Sequence, residues 1–347
     1  MIVNSVDQLI GETPLIRIDS LSNAVRGINV FGKLESFNPG YSVKDRSARQ
    51  LIEQAKLDHG LQPGATIVES SSGNMGHALA MLCAVHRFKF ICVLDPKTPA
   101  SNISLIRAYG GDVVIVDTPD EQGSYQKRRI ETARRLALER PNCINLDQYN
   151  NPAALDAHFL TTGPEILAQT EGRIDVLIGA ASTGSHLSGI AKCMKMYAPH
   201  VHVIGVEPVG SVVFGGTYKP FLQNGTGLSF RPGNILVHYI DEVVRVSDRD
   251  AFHACRQLAR ADGLLLGGSS GSVASAARSY LERVDGPCNV VIVLPDGGLK
   301  YLDTIYDDQW LVRNGLGSLI EAEPADHHRP AGAAQPAIPA QPDTAQA

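Results

Sequence analysis

The chain has 347 residues, 44% of them hydrophobic and 19% charged, with a formal charge of −5. That length exceeds one simple core and suits an enzyme of two lobes, and the composition is that of a globular protein. No block of charge offers a nucleic-acid surface, and basic groups such as Lys127-Arg128-Arg129 read as solvated helix faces. The six cysteines are scattered without zinc or redox spacing, so they read as buried free thiols and no metal site is expected. The N-terminus lacks a basic segment followed by an apolar run, and no apolar stretch approaches the ~18 residues a bilayer requires. A cytoplasmic protein without a membrane partner is the expectation.

In chain order, Lys33 lies in an apolar strand, and a turn at Asn38-Pro39-Gly40-Tyr41 opens a helix near Ser42. From about residue 64, short β-branched runs alternate with helical ones. Residues 66–69 read as a strand, 77–85 as an apolar helix, 88–94 as a strand, and 101–109 as a helix ended by Gly110-Gly111. A strand at 113–116 and a charged helix over 124–139 follow. The pattern restarts after residue 172 with a strand at 174–178, a helix at 189–197 and a strand at 201–206. An irregular stretch, 209–240, is rich in glycine and aromatics. It precedes a strand near Val243-Val244, a helix over 248–261, a helix after Gly271 and a strand at 290–294. Continuous apolar strands between helices indicate parallel sheets covered on both faces, and two α/β lobes with a cleft between them are expected. The Pro/Ala/Gln-rich segment 324–347 has no periodicity and reads as disordered.

Ligands of open α/β sheets bind where strands lead into helix N-termini. Residues 69–76, Glu-Ser-Ser-Ser-Gly-Asn-Met-Gly, form one such loop, suited to a carboxylate or phosphate, or else a plain helix cap. Residues 180–189 form a second, without P-loop or dinucleotide spacing; its His186 fits capping and packing as well as catalysis. Residues 266–272 form a third, and Pro295-Asp296-Gly297-Gly298 follows the last strand. Together they outline a site for a small phosphorylated ligand. Lys44 falls in a first helical turn, where the helix field lowers an amine's pKa and suits a nucleophile or base. An exposed lysine neutralised by Asp45 is the plainer reading, and Lys33 and Lys300 are rivals.

These motifs in this order resemble the cysteine synthase/cystathionine β-synthase family of fold-type II pyridoxal-phosphate (PLP) enzymes. The resemblance covers about residues 5–313 and rests on Gly11-Glu12-Thr13-Pro14-Leu15, residues 38–46, Ser71-Ser72-Gly73-Asn74, Gln148-Tyr149-Asn150-Asn151-Pro152, residues 182–186 and 263–269. It implies an α/β, two-lobed, tryptophan synthase β-like fold. The large PLP-binding domain would span 1–37 plus 147–315, the smaller mobile domain 38–146, and a disordered tail 316–347. It also implies a homodimer. Lys44 would form the internal aldimine, Asn74 would bond the cofactor's phenolic oxygen, and Ser182, Thr183, Gly184, Ser185 and His186 would wrap its phosphate. Ser269 would face the pyridine nitrogen, which favours elimination. Ser71, Ser72 and Gln148 would bind the substrate carboxylate, with Gly73, Met75 and Tyr149 beside them.

Several positions depart from the common cysteine synthase pattern. Tyr41 stands for glycine, Met75 for threonine, and Ser182, Ser185 and His186 for glycine, glycine and threonine. Arg231 replaces an apolar residue. Other features, including Asp95-Pro96-Lys97, residues 121–125 with Arg129, and residues 306–311, resemble one branch of the family. That branch makes N-(2-amino-2-carboxyethyl)-L-glutamate from O-phospho-L-serine and L-glutamate through an aminoacrylate, for 2,3-diaminopropionate and siderophores. In that setting Arg231 would pair with a substrate anion, or else be a surface arginine. The alternatives are a cysteine synthase or cystathionine β-synthase using O-acetylserine or serine with sulfide or homocysteine, and a catalytically silent PLP-binding protein.

Overall fold

The computed structural model describes residues 2–121 and 123–320. Ten strands run among them: β1 (Leu15–Arg17), β2 (Ile28–Leu34), β3 (Thr66–Ser70), β4 (Lys89–Leu94), β5 (Asp112–Ile115), β6 (Cys143–Asn145), β7 (Val176–Ala180), β8 (His202–Pro208), β9 (Glu242–Val246) and β10 (Cys288–Leu294). They form a six-stranded sheet, β1-β2-β10-β7-β8-β9, and a four-stranded sheet, β5-β4-β3-β6. Only β1 with β2 is antiparallel; the remaining pairs are parallel.

Ten helices cover the sheets: α1 (Lys44–His59), α2 (Asn74–His86), α3 (Ala100–Ala108), α4 (Gln126–Glu139), α5 (Ala153–Ala157), α6 (Gly163–Gln169), α7 (Ser185–Tyr197), α8 (Asp248–Ala261), α9 (Gly268–Leu281) and α10 (Asp308–Arg313). Strand β10 shows why its sequence is apolar without alternation. Val290 and Ile292 pack with α8 and α9, while Val291 and Val293 pack on the other face with α6 and α7. Side chains alternate faces, so a central strand covered on both sides needs apolar residues at every position. In the smaller sheet Ile67 and Phe90 face α1 and α2, and Val68 and Ile91 face α4.

Two helices begin earlier than the glycine pattern suggests. The expected starts near Gly189 and after Gly271 become Ser185 and Gly268. Both glycines are interior packing residues. A Cβ on Gly189 would lie 2.4 Å from the Leu155 carbonyl oxygen, and one on Gly271 would lie 2.1 Å from that of Ala251. A glycine read as a start signal is thus the point where one helix presses on another's backbone.

The expectation of a disordered segment from residue 316 does not hold at its beginning. Gly317–Leu319 forms a 3-10 turn, and Leu319 is buried in the core beside α8 and α10. Residues 321–347, including the Pro/Ala-rich stretch, lie outside the described residues. All six cysteines are free, and five are buried, but Cys143 is only partly so, which corrects the expectation for that thiol. Among the described residues no helix is long and apolar enough to cross a membrane, and no His/Cys/Asp/Glu group is arranged to hold a metal.

Candidate active site

A cavity of about 310 Å³ opens between the two sheets, lined by the start of α1, the 71–75 loop, Gln148 and Tyr149, Ser182 and Thr183, Ser269, and the loop after β10. Lys44 is the first residue of α1, and its place is fixed by the backbone before it. The Val43 N–H donates to the Pro295 carbonyl at 2.8 Å, and Ser42 Oγ accepts from the Lys44 N–H at 3.3 Å. The start of α1 is thereby tied to the end of β10, with the Lys44 side chain at the cavity wall. Burial lowers the Lys44 amine from 10.5 to about 8; Asp296 and Glu35 oppose the shift and Lys300 adds to it. Asp45 does not neutralise Lys44: its carboxylate accepts from the Gly40 N–H at the preceding turn.

Tyr41, in that turn, has φ +63° and is exposed. This left-handed conformation costs a residue other than glycine roughly 1–2 kcal/mol, which explains a glycine preference at that position.

Ser71, Ser72, Gly73, Asn74 and Met75 all line the cavity. Ser71 Oγ accepts from the Gly76 N–H at 3.0 Å and the Gly73 N–H at 3.3 Å, so it satisfies a first-turn N–H of α2 in a capping role, ahead of the N-cap residue Gly73. Capping uses the oxygen lone pairs only, so the Ser71 hydroxyl proton remains to donate to an anion. The capping and ligand readings of this loop are therefore compatible. Gln148 Nε2 donates to the Ser70 carbonyl at 2.8 Å, and the Gln148 N–H donates to Glu69 Oε2 at 3.1 Å, which holds Gln148 and Tyr149 against β3.

Of the loop before α7, only Ser182 and Thr183 reach the cavity; Gly184, Ser185 and His186 do not line it. Gly184 has φ +89°, and a Cβ there would sit 2.7 Å from the Asn234 backbone, so only glycine fits. Asn234, which carries no motif signal in the sequence, donates through Nδ2 to the Gln148 carbonyl at 3.2 Å and to Ser185 Oγ at 3.3 Å. His186 is buried with Nε2 unpartnered, its ring edge-on to His158 at 6.1 Å. Burial, then the Lys44 charge, lowers it to about 3, so it stays neutral.

The structure does not bring Arg231 to the site: it is exposed, in a separate surface depression with Lys127 and Arg128. Arg129 takes the inward place instead. It is 4% exposed, lines the cavity and pairs with Asp95 at 2.9 Å, while its Nε and Nη1 have no well-aligned hydrogen-bond acceptor. In sequence Arg129 is hidden within a basic triplet that reads as solvated, although the other two members do lie outside. Lys300, Asp296 and Tyr301 are also understated by the sequence. Lys300 lines the cavity; Lys33, the other rival, is fully buried and bonds Glu165 at 2.6 Å.

These groups match the chemistry of pyridoxal phosphate. An amine of lowered pKa suits its aldehyde, and a helix N-terminus opened by Gly184 suits its phosphate. Ser270 Oγ and His186 Nε2, in the first turns of α9 and α7, are buried without partners, although neither residue lines the cavity.

The sequence model of the family described as pyridoxal-phosphate dependent enzyme matches residues 6–296. The chain is 38% identical over 331 residues to an N-(2-amino-2-carboxyethyl)-L-glutamate synthase of Ralstonia nicotianae, covering 94% of this chain and 98% of that protein. A synthase of the same name from Cupriavidus metallidurans is 38% identical over 316 residues, covering 90% and 92%. Among solved structures, O-ureido-L-serine synthase superposes with a TM-score of 0.82 at 33% identity, covering 90% of this chain and 100% of that one.

Proposed function

The chain belongs to the pyridoxal-phosphate dependent enzyme family, and from that premise we propose that it joins O-phospho-L-serine to L-glutamate, releasing phosphate and forming N-(2-amino-2-carboxyethyl)-L-glutamate. It is a PLP-dependent β-replacement synthase. The product would feed 2,3-diaminopropionate and siderophore assembly in the cytoplasm. We further propose a homodimer in which residues 38–146 form the smaller, mobile domain.

The observation that carries the choice of substrates is the cationic lining of the cavity. Arg129 and Lys97 add to Lys44 and Lys300, and the buried Arg129, whose Nη1 pairs with Asp95, keeps its Nε without an acceptor. A phosphorylated donor and a dicarboxylate acceptor need such partners, whereas sulfide does not.

In this reading Lys44 would anchor the cofactor, the 182–186 loop would hold its phosphate through Ser182 and Thr183, which line the cavity, Asn74 would bond its phenolic oxygen, and Ser269 would face its ring nitrogen. When bound, pyridoxal phosphate supplies the electron sink that lets a Cα proton and the β-substituent leave. Lys44 Nζ takes the Cα proton and later returns one. The Ser71 hydroxyl, with Ser72 and Gln148, orients the substrate carboxylate, while Arg129 binds the departing phosphate or an incoming carboxylate. The β-carbon–oxygen bond breaks, and the glutamate amine forms the new carbon–nitrogen bond with loss of a proton.

Incubating the purified holoenzyme with O-phospho-L-serine and L-glutamate should release phosphate and give the coupled amino acid by mass spectrometry. Sulfide and homocysteine, supplied in parallel, should be poorer acceptors. No coupled product with glutamate, or faster turnover with a sulfur acceptor, would overturn the assignment.

A further inference from the structure

Substrate binding leaves one cluster at the cavity wall without a role: Lys300 and Tyr301, which line the cavity, and Asp296 behind them, gathered around Asn74. Lys300 Nζ bonds Asn74 Oδ1, and Asn74 Nδ2 donates to Asp296 Oδ2 at 2.8 Å. The same Asp296 oxygen accepts from Tyr301 Oη at 2.7 Å. An ammonium can only donate and a carboxylate only accept, so chemistry itself fixes which end of the amide is which. A flipped amide would set N–H against ammonium and carbonyl against carboxylate. Asp296 takes one N–H of Asn74, and the other remains for the cavity. The contact also spans the molecule, since Lys300 follows β10 of the larger sheet and Asn74 opens α2 beside the smaller one.

We propose that Lys300 is a positioning residue, locking the Asn74 amide as a hydrogen-bond donor toward the cofactor and placing a second positive charge beside Lys44. This rests on the family's cofactor and not on the identity of donor or acceptor. The ring hydroxyl of pyridoxal phosphate neighbours the aldehyde that reacts with an amine. A donor fixed in the cavity wall near Lys44 therefore suits the anion of that hydroxyl.

The charged and titratable groups facing the two lysines come from several elements: Glu35, Asp45, His77, His158, His186 and Asp296. Burial keeps the three histidines neutral, with His77 lowered to about 4. Burial pushes Asp45 up to about 7, so near pH 8 it is mainly a carboxylate, and its charge acts on Lys300. The charges left to act on Lys44 are Glu35 and Asp296, which favour its protonation, and Lys300, which opposes it.

The test uses full-length protein reconstituted with pyridoxal phosphate, as wild type and as Lys300→Met, Lys300→Gln and Lys300→Arg. The readouts are the pH midpoint of the bound cofactor's visible absorbance, cofactor affinity and the unfolding temperature. Both neutral variants should move the midpoint to higher pH, because a nearby cation no longer disfavours protonation. Lys300→Met should also weaken cofactor binding roughly tenfold, the worth of a hydrogen bond to a charged group. Lys300→Arg should restore both. The near-isosteric Gln variant carries the charge test should the Met variant fold poorly. An unmoved midpoint in folded Gln or Met protein would overturn the proposal. Absence of any visible absorbance in wild type would instead defeat the cofactor assignment.

Discussion

Arg46 grips Glu35 through two charge-assisted hydrogen bonds, Nε to Oε2 at 2.7 Å and Nη2 to Oε1 at 2.9 Å, with both side chains fully buried. Arg46 lies two positions after Lys44 on α1, and Glu35 directly follows β2. Arg46 also bonds Glu165 of α6 at 2.5 Å, and Thr13 Oγ1 donates to Glu35 at 2.7 Å. Burial works against the guanidinium charge, but Glu35 and Glu165 outweigh it and raise its pKa. The cluster thus sets the direction in which α1 presents Lys44. Replacing Arg46 with Met strands the buried Glu35 carboxylate and leaves Glu165 with Lys33 alone, and the expected loss is about 3–5 kcal/mol. Urea unfolding would show it as a lower midpoint at similar slope. A double change of Arg46 and Glu35 to apolar residues should cost less than the two single changes summed.

Glu165 ties this cluster to pH. Burial pushes its carboxyl up, but the hydrogen bonds and charges of Arg46 and Lys33 win and hold it down, from 4.5 to about 2. As pH falls, the unfolded chain takes up this proton before the folded one does. The stabilisation is complete above about 4.5 and disappears as pH drops to about 2. Glu165→Gln should be less stable at neutral pH and show a shallower acid limb across that window. Parallel acid limbs in wild type and variant would contradict this account.

How legible the site was depends on where a residue's chemistry is written. Lys44 could be picked out because the helix-opening turn precedes it in sequence, and the structure places it in the cavity. The central strands were readable because burial on both faces removes every polar position, as in Val290 to Leu294. Helix starts were less so, since Gly189 and Gly271 answer to a neighbouring helix rather than to their own chain. Arg129 and Arg231 show the same limit for side chains. Arg129 sits beside two solvated cations in sequence and turns inward, while Arg231, singled out by its unusual position, faces outward. Which way a residue points on a helix or loop is set by partners such as Asp95, far away in the chain.

Lys44 should betray its environment in the pH dependence of cofactor capture. Only the neutral amine attacks an aldehyde, and burial brings this amine to about 8 from 10.5. The rate at which cofactor-free protein captures pyridoxal phosphate should climb through about pH 8. A midpoint near 10.5 would mean that the amine is effectively solvated. Lys44→Ala should capture no cofactor covalently and lose at least ~10²-fold in turnover, the smaller end of what a positioned base contributes.

The two arginines make opposite predictions and so test where the substrate anions sit. Arg129 is buried at the cavity wall, where a hydrogen bond to a charged group is worth about 1.5–3 kcal/mol. Arg129→Gln should therefore lower kcat/KM roughly 10- to 100-fold with O-phospho-L-serine and L-glutamate. Varying each substrate in turn identifies the anion involved, because the KM that rises belongs to the partner that Arg129 holds. Arg231 is exposed outside the cavity, so Arg231→Gln should stay within about twofold of wild type, as surface substitutions do. Equal losses in both variants would mean that the surface around Arg231 closes over the substrate, and the anion site would have to be redrawn to include it. A loss confined to Arg129→Gln, shared equally by phosphorylated and non-phosphorylated donors, would place the contact on the glutamate carboxylate rather than on the leaving phosphate.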